Sequence, residues 1–227
     1  MFNYDPARQR AQLSSQGYAH LKGVLSDAFV AHLTQIFERA LASHDSESDD
    51  WRITGKKRQF VFDFPSEADA EAFRIGMAGL TGIAPERFTI SERHIKLYDD
   101  AAEPYPAPHK DRSASHFSIG LPIRLPQGST VAVFPKLDPG PNPEERAVFL
   151  SPEPGQDMAT LYAAPEADLL HEQVGDVVIF LGSALYHERM KSAGTAVLYI
   201  KVNGVGEDPL GENIYAAAPS PAATAAA

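Results

Sequence analysis

Hydrophobic and polar positions divide the chain into a helical first part and a strand-rich second part. Apolar residues recur at helical spacing over 26–42, where Ser26 is a plausible N-cap, and again from Ser66, which has capping-box spacing to Asp69. Beyond them, short apolar runs between turn residues predict strands at about 88–98, 115–125, 130–135, 158–163, 167–171, 176–181, 184–188 and 195–203. This order predicts a mainly β fold: a double-stranded β-helix (a cupin-like jelly roll) buttressed by N-terminal helices.

Composition narrows the class of protein. The 227 residues suit one domain, which we expect to span 1–215, with a disordered Ala/Pro tail at 216–227. The formal net charge of −10 argues against nucleic acid or an anionic membrane as the partner. No apolar run is long enough to span a bilayer, no signal peptide is evident, and cysteine is absent. We therefore expect a cytoplasmic protein that acts on a small molecule.

Three residues have the chemistry of a metal site. His109 and Asp111 point to the same side if they lie on an extended strand. A turn at Gly175-Asp176 and a buried strand come before His187, which we expect on a short strand of its own. Two imidazoles and one carboxylate can occupy one face of an octahedral ion and suit Fe(II). The alternative is an exposed His-Lys-Asp turn and an unrelated buried His187.

The segment that ends at His187, the His-x-Asp pair and the opening Gly17–Asp27 together resemble the Fe(II)/2-oxoglutarate-dependent dioxygenases. They are most similar to the small prokaryotic phytanoyl-CoA-dioxygenase-like branch, over roughly Ser15 to Asn203. The resemblance implies an oxidoreductase that binds Fe(II) through His109, Asp111 and His187 and consumes 2-oxoglutarate and O2. Such an enzyme hydroxylates or otherwise oxidises a small molecule, such as an amino acid or natural-product intermediate, while 2-oxoglutarate is decarboxylated to succinate.

The resemblance also implies a cationic anchor for the distal carboxylate of 2-oxoglutarate, usually an arginine somewhat further along the chain than the distal histidine. This chain has only Arg189 after His187, which is too close in sequence to fit that pattern. Lys201 is the first candidate and Arg124 the second, while Tyr98 and Tyr105 are candidate hydroxyl donors. A solvated lysine and packed aromatic rings are the ordinary alternatives.

Candidate substrate contacts are less sharply defined. Arg93, Arg112, Arg58 and Trp51 could bind an anionic or aromatic group, although each could equally be a surface residue. The polar segment around Trp51 is expected to form a lid that shields the reaction from water. His94 could line the pocket, and His116 and His171 are rival metal ligands.

Two other classes of function remain compatible with the sequence. One is a cupin-like metal-dependent enzyme that does not use 2-oxoglutarate. The other is a non-catalytic ligand-binding jelly roll in which the His-x-Asp spacing is incidental.

Overall fold

The computed structural model describes residues 1–43, 57–99, 108–138, 140–151, 154, 160, 162 and 167–215. Within these ranges the helices are α1 (Arg10–Gln16), α2 (Asp27–Ser43) and α3 (Glu67–Thr81). The strands are β1 (Tyr18–Leu21), β2 (Lys57–Val61), β3 (Thr89–Tyr98), β4 (His109–Lys110), β5 (Phe117–Arg124), β6 (Thr130–Phe134), β7 (Val148–Phe149), β8 (Asp168–Leu170), β9 (Val177–Phe180), β10 (Tyr186–Met190) and β11 (Ala196–Asn203). No helix in these ranges is long and apolar enough to cross a bilayer.

The two predicted helices are confirmed, with their caps. The Ser26 hydroxyl accepts a hydrogen bond from the Phe29 amide at 3.3 Å, and the Ser66 hydroxyl accepts one from the Asp69 amide at 3.1 Å. Each cap satisfies an amide that has no partner within the first turn of its helix. The short helix α1, which the sequence did not predict, ends at Gly17 with a left-handed φ of 78°.

The strands form two antiparallel sheets. The six-stranded sheet has the order β1-β9-β5-β11-β3-β2, and the five-stranded sheet has the order β7-β4-β10-β6-β8. Apolar side chains of α2 and α3 pack with one face of the six-stranded sheet in the main hydrophobic core. The predicted jelly roll with buttressing helices is therefore confirmed. The strand predicted at 158–163 is not, because its only described residues, Thr160 and Tyr162, lie outside any strand.

Alternation along β3 and β11 separates the helix-packed face from the interior between the sheets. Ile95 and Leu97 of β3 belong to the main core, whereas Glu92 lies opposite Lys201 of β11. Lys201 extends from the six-stranded sheet to the residue that follows β4 in the other sheet. Since successive side chains of a strand point to opposite faces, charged groups line the interior at this point. Elsewhere between the sheets the interior is apolar, where Val131 and Val133 of β6 pack with Val178 and Phe180 of β9.

Candidate metal centre

The two predicted histidine ligands are direct neighbours across two strands. His109 of β4 pairs with His187 of β10, and the two imidazole centroids lie 4.5 Å apart. Asp111 follows β4 immediately. Its Oδ1 lies 3.9 Å from His109 Nε2 and its Oδ2 lies 3.7 Å from His187 Nε2. Among the described residues, these three form the cluster of potential metal ligands, with all ligand atoms within 4.8 Å of one another.

The turn between β9 and β10 positions Asp111. The carbonyl oxygen of Gly182 accepts a hydrogen bond from the Asp111 amide at 2.8 Å. A Cβ atom at Gly182 would lie 2.8 Å from Asp111 Oδ2 and even closer to the Ser118 hydroxyl. Glycine is needed here because the turn backbone approaches the carboxylate closely, a requirement that the Gly-Ser dipeptide signals in the sequence only as a turn.

Hydrogen bonds fix the orientation of the Asp111 carboxylate. Lys201 Nζ donates to Oδ1 at 2.7 Å and the Ser118 hydroxyl donates to Oδ2 at 2.5 Å, while all three side chains are buried. Burial by itself raises the pKa of Asp111, but opposing effects, of which the charge of Lys201 is the largest, hold the pKa well below its usual value. Asp111 is therefore an ionised ligand at neutral pH.

His187 has the protonation state that a metal ligand needs. Its Nδ1 lies 3.0 Å from the carbonyl oxygen of Leu185, which can only accept a hydrogen bond, so Nδ1 carries the proton. The lone pair of Nε2 then faces Asp111. Burial lowers the pKa of His187 and keeps the ring neutral, although Asp111 opposes this effect. A backbone carbonyl that fixes the tautomer is the usual support of a ligating histidine.

The donor set fits a divalent cation. Ligands about 2.0–2.2 Å from one ion lie up to about 4.4 Å from each other, and the histidine–carboxylate distances of 3.7 and 3.9 Å fall within that limit. Nitrogen and carboxylate oxygen donors suit iron and comparable metals, and the three side chains leave further coordination positions open.

Lys201, the first predicted anchor, lies directly beside the centre. Besides Asp111 it contacts Glu92, at 3.4 Å from Oε2. Glu92 also forms ion pairs with Lys96, at 2.6 Å, and with Arg112, at 2.7 Å. Burial raises the pKa of Glu92, but Lys201 and Lys96 outweigh it and the pKa lies well below its usual value. Lys201 is thus part of a buried network in which ionised Glu92 is the hub.

Arg189 also lies in the interior, a placement that the sequence interpretation missed. It stands two residues after His187 on β10, and its side chain contacts the Tyr199 hydroxyl of β11 at 3.1 Å. It also forms a buried ion pair with Glu172. The sequence interpretation set Arg189 aside as an anchor because it follows His187 by only two residues. The signal that could have found it is strand periodicity, because residues two apart share one face.

The other predicted cosubstrate residues are distributed as follows. The Arg124 guanidinium donates to the Gly194 carbonyl oxygen at 2.8 Å and lies over the Phe37 ring of α2, on the helix-packed side of the sheet. The Arg124 guanidinium is therefore directed to the opposite face of the sheet from Lys201. Tyr98 is buried on the face of β3 that also carries Lys96, and Tyr105 lies outside the described residues.

Of the predicted substrate residues, Arg112 follows Asp111 directly, and its side chain contacts Glu92 in the buried network beside the centre. Arg93 instead forms an ion pair with Asp63, between β2 and α3, and donates a hydrogen bond to the Glu212 carbonyl oxygen at 3.0 Å. Arg58 pairs with Leu97, whose side chain faces the main core. Trp51 and most of the predicted lid lie outside the described residues.

The other histidines do not join the metal ligands. His94 lies in the interior and contacts Glu212 at 2.9 Å, at the edge of the Glu92 network. His116 and His171 are not part of the ligand cluster found among the described residues. His109 and His187 are thus the two imidazoles that share the centre with Asp111.

Sheet order, flanking helices and the interior His-Asp-His cluster define the double-stranded β-helix class. No protein-family model matches the chain, and no curated protein does. Several solved structures match the chain in fold. The epimerase SnoN, in complex with Fe3+, alpha ketoglutarate and nogalamycin RO, has a TM-score of 0.61 at 17% identity over 94% of this chain and 96% of that chain.

Two further solved structures share the fold. A Pseudomonas putida prolyl-4-hydroxylase has a TM-score of 0.58 at 16% identity, over 88% of this chain and 99% of its own. HygX from Streptomyces hygroscopicus, with nickel, 2-oxoglutarate and hygromycin B bound, has a TM-score of 0.60 at 13% identity, over 87% of this chain and 86% of its own. At these identities the likeness establishes the fold.

Proposed function

We propose that this protein is a non-haem Fe(II)/2-oxoglutarate-dependent oxygenase that hydroxylates or otherwise oxidises a small molecule. The observation that carries the proposal is the meeting of His109, Asp111 and His187 inside a double-stranded β-helix, with ligand atoms within 4.8 Å of one another. Solved proteins with this fold bind a metal and 2-oxoglutarate together, as HygX does. Bound iron would supply the oxidising chemistry with O2, coupled to the conversion of 2-oxoglutarate to succinate.

The protein's own residues prepare the centre for this chemistry. Neutral His187 offers the lone pair of Nε2. Ionised Asp111 is already held in place by hydrogen bonds from Lys201 and Ser118 when a metal binds. A preorganised ligand set minimises the reorganisation that metal binding requires. Burial between the two sheets limits the access of water, which protects an oxidising centre from side reactions.

We assign the distal carboxylate of 2-oxoglutarate to Arg189 in preference to Lys201. Lys201 contacts a metal ligand directly, so it lies close to the metal-bound end of the cosubstrate. Arg189 lies two residues from His187 on the same face, an axial offset of about 6–7 Å that suits the far end of a five-carbon diacid. Its planar guanidinium, oriented by Tyr199 and Glu172, matches a carboxylate.

The test is anaerobic addition of Fe(II) and 2-oxoglutarate, followed by O2. We expect a visible charge-transfer absorption band on mixing and succinate after O2 is admitted. His109→Ala and His187→Ala should lose both signals. His32→Ala, on the exposed side of α2, is the matched control and should keep both. Unchanged metal content in the two ligand variants would support a non-catalytic jelly roll instead.

One observation favours a second candidate, a cupin-like metal enzyme without 2-oxoglutarate. Arg189 is already paired with Glu172, and Lys201 is already paired with Asp111 and Glu92. An anionic cosubstrate must therefore compete with carboxylates of the chain itself. Metal binding by His109 and His187 without any succinate formation would select this candidate.

The setting of the reaction follows from composition. We propose a cytoplasmic enzyme whose partners are a small-molecule substrate and O2, because the acidic chain, at net charge −10, is unsuited to nucleic acid and has no cysteine to form disulfides. Fractionation of the source cells, with detection by antibody, tests the location.

A further inference from the structure

Arg112 combines a position beside the metal ligands with unused hydrogen-bonding capacity. It follows Asp111 directly in the chain, and its Nη2 contacts Glu92 Oε2 at 2.7 Å. Among the described residues, Nε and Nη1 of Arg112 have no acceptor. A guanidinium has five N–H donors in a planar fork, so most of this one remains available to a ligand.

Arg112 is also the most accessible charged group around Glu92. Its side chain is 20% exposed, against 13% for Lys96, 11% for Lys201 and 5% for Glu92. Lys96 lies deeper, near the Tyr199 ring on the Arg189 side of the interior. Arg112 nevertheless stays electrostatically coupled to the centre, since its charge acts on buried Lys201. Arg112 is therefore the charged group of this network that solvent and small molecules reach most readily.

The buried network of charged side chains that includes Arg112 has a net positive charge. A continuous set of contacts runs from Asp111 to Arg189 through the interior. It contains four cations (Lys201, Arg112, Lys96 and Arg189) and three carboxylates (Asp111, Glu92 and Glu172). His94, at the edge of this network, lies 2.9 Å from Glu212 and 3.6 Å from Glu92. Burial lowers the pKa of His94, but Glu212 and Glu92 outweigh burial and raise the pKa, so protonated His94 balances Glu212. The network thus has one more cation than carboxylates. A divalent metal adds two positive charges and the 2-oxoglutarate dianion removes two, so one positive charge remains.

We propose that the substrate of this site is a small carboxylic acid and that Arg112 binds its carboxylate. This inference rests on the proposed function and gives it a substrate class. A single carboxylate neutralises the remaining charge and takes the open donors of Arg112. Glu92 holds the guanidinium from one side, so the substrate's acid group is bound on the other, with the rest of the molecule directed to the metal.

The test uses wild-type protein loaded with Mn(II) and 2-oxoglutarate under nitrogen. Benzoate and acetate are compared with their neutral amides, benzamide and acetamide, by the relaxation that Mn(II) induces in ligand protons. This readout reports binding near the metal and needs no turnover. We expect each acid to bind about 10- to 100-fold more tightly than its amide, the range of one charge-assisted contact.

Variants locate the effect at one residue. Arg112→Gln should lose that preference, whereas Arg112→Lys should keep part of it, since lysine preserves the charge without the fork. Arg87→Gln, at an exposed arginine before β3, is the matched control and should behave as wild type. Retained loading with Mn(II) and 2-oxoglutarate shows that each variant is folded.

The outcomes are distinct. Equal binding of acids and amides, binding of neither, or an acid preference that survives in Arg112→Gln would overturn the assignment, and the last would place the acid on the metal or in the cosubstrate position. Failure of the wild type to load with metal and 2-oxoglutarate would instead overturn the proposed function itself. Acid preference lost in Arg112→Gln alone supports the inference.

Discussion

Lys201 and Asp111 form a buried ion pair, with Nζ 2.7 Å from Oδ1, although Lys201 lies on one sheet and Asp111 directly follows a strand of the other. Burial lowers the pKa of Lys201, but the charges of Asp111 and Glu92 raise it overall, so the ammonium stays charged. The contact couples the stability of the fold to the ionisation and orientation of Asp111, the candidate metal ligand. Removal of the lysine would leave two buried carboxylates short of positive charge.

Lys201→Met should destabilise the protein and increase its response to metal. Breaking a buried pair from one side costs about 3–5 kcal/mol of unfolding free energy. A divalent ion at Asp111 replaces the missing positive charge, so Mn(II) should stabilise the variant more than the wild type. Urea unfolding with and without Mn(II) measures both effects. Lys96→Met, which contacts Glu92 but not Asp111, is the control and should gain no extra response; an equal metal response in all three proteins would contradict the coupling.

Gly182→Ala should weaken metal binding more than it weakens the fold. The new methyl group would press on Asp111 and Ser118, an overpacking that costs about 1–3 kcal/mol. Displacement of a ligand or its support lowers metal affinity by roughly 10- to 100-fold. Mn(II) titration followed by electron paramagnetic resonance gives the affinity.

Gly206→Ala is the matched control for that substitution. Gly206 has a φ of 84°, and no atom lies within 4 Å of the position that an added methyl group would occupy, so alanine there introduces backbone strain alone. Its metal affinity should equal that of the wild type. If Gly182→Ala binds Mn(II) as the wild type does, the turn does not position Asp111.

Local signals in the sequence were enough to predict most elements and the ligand set. Ser26 and Ser66 marked the helix starts because a cap is a contact within one turn. Strand β2 escaped prediction because its sequence, Lys57–Val61, is largely polar and follows the segment that was interpreted as a loop. Without a clear apolar pattern, this strand is specified by its pairing with β3, which local sequence does not show.

The ion pairs around Glu92 could not be predicted from the sequence, for a different reason. His109 and Asp111 are close in sequence, so their spacing carries information about their geometry. The contacts of Glu92 with Arg112 and Lys201 depend on strand register and on closure of the two sheets. Register is set by packing over the whole barrel, and a one-residue slip would turn each of these side chains away.

Arg189→Gln should raise the KM for 2-oxoglutarate, with a smaller effect on kcat at saturation. Loss of a charge-assisted contact with the distal carboxylate corresponds to about 10- to 100-fold. Succinate formation at varied 2-oxoglutarate measures the change. Arg124→Gln, whose guanidinium faces α2, should leave the KM unchanged. An unchanged KM in Arg189→Gln together with an increased KM in Lys201→Met would assign the anchor to Lys201.

Glu188 should make stability depend on pH. It lies on β10, on the opposite face from His187, and accepts a hydrogen bond from the Tyr162 hydroxyl at 2.5 Å. Burial raises the pKa of Glu188 from 4.5 to about 7, although the contact with Tyr162 opposes the shift. Between these values the folded state holds a proton that the unfolded state has lost. Stability from this group is therefore full below pH 4.5 and is lost as the pH rises to about 7.

Glu188→Gln tests that dependence because the amide stays neutral at every pH. Relative to wild type, the variant should gain unfolding free energy between about pH 4.5 and 7, by up to roughly 3 kcal/mol. Urea unfolding at pH 5 and pH 8 gives the two differences, and Glu144→Gln, at an exposed glutamate, controls for the loss of surface charge. A constant difference between wild type and Glu188→Gln across this range would mean that Glu188 ionises in the folded protein as freely as in the unfolded chain.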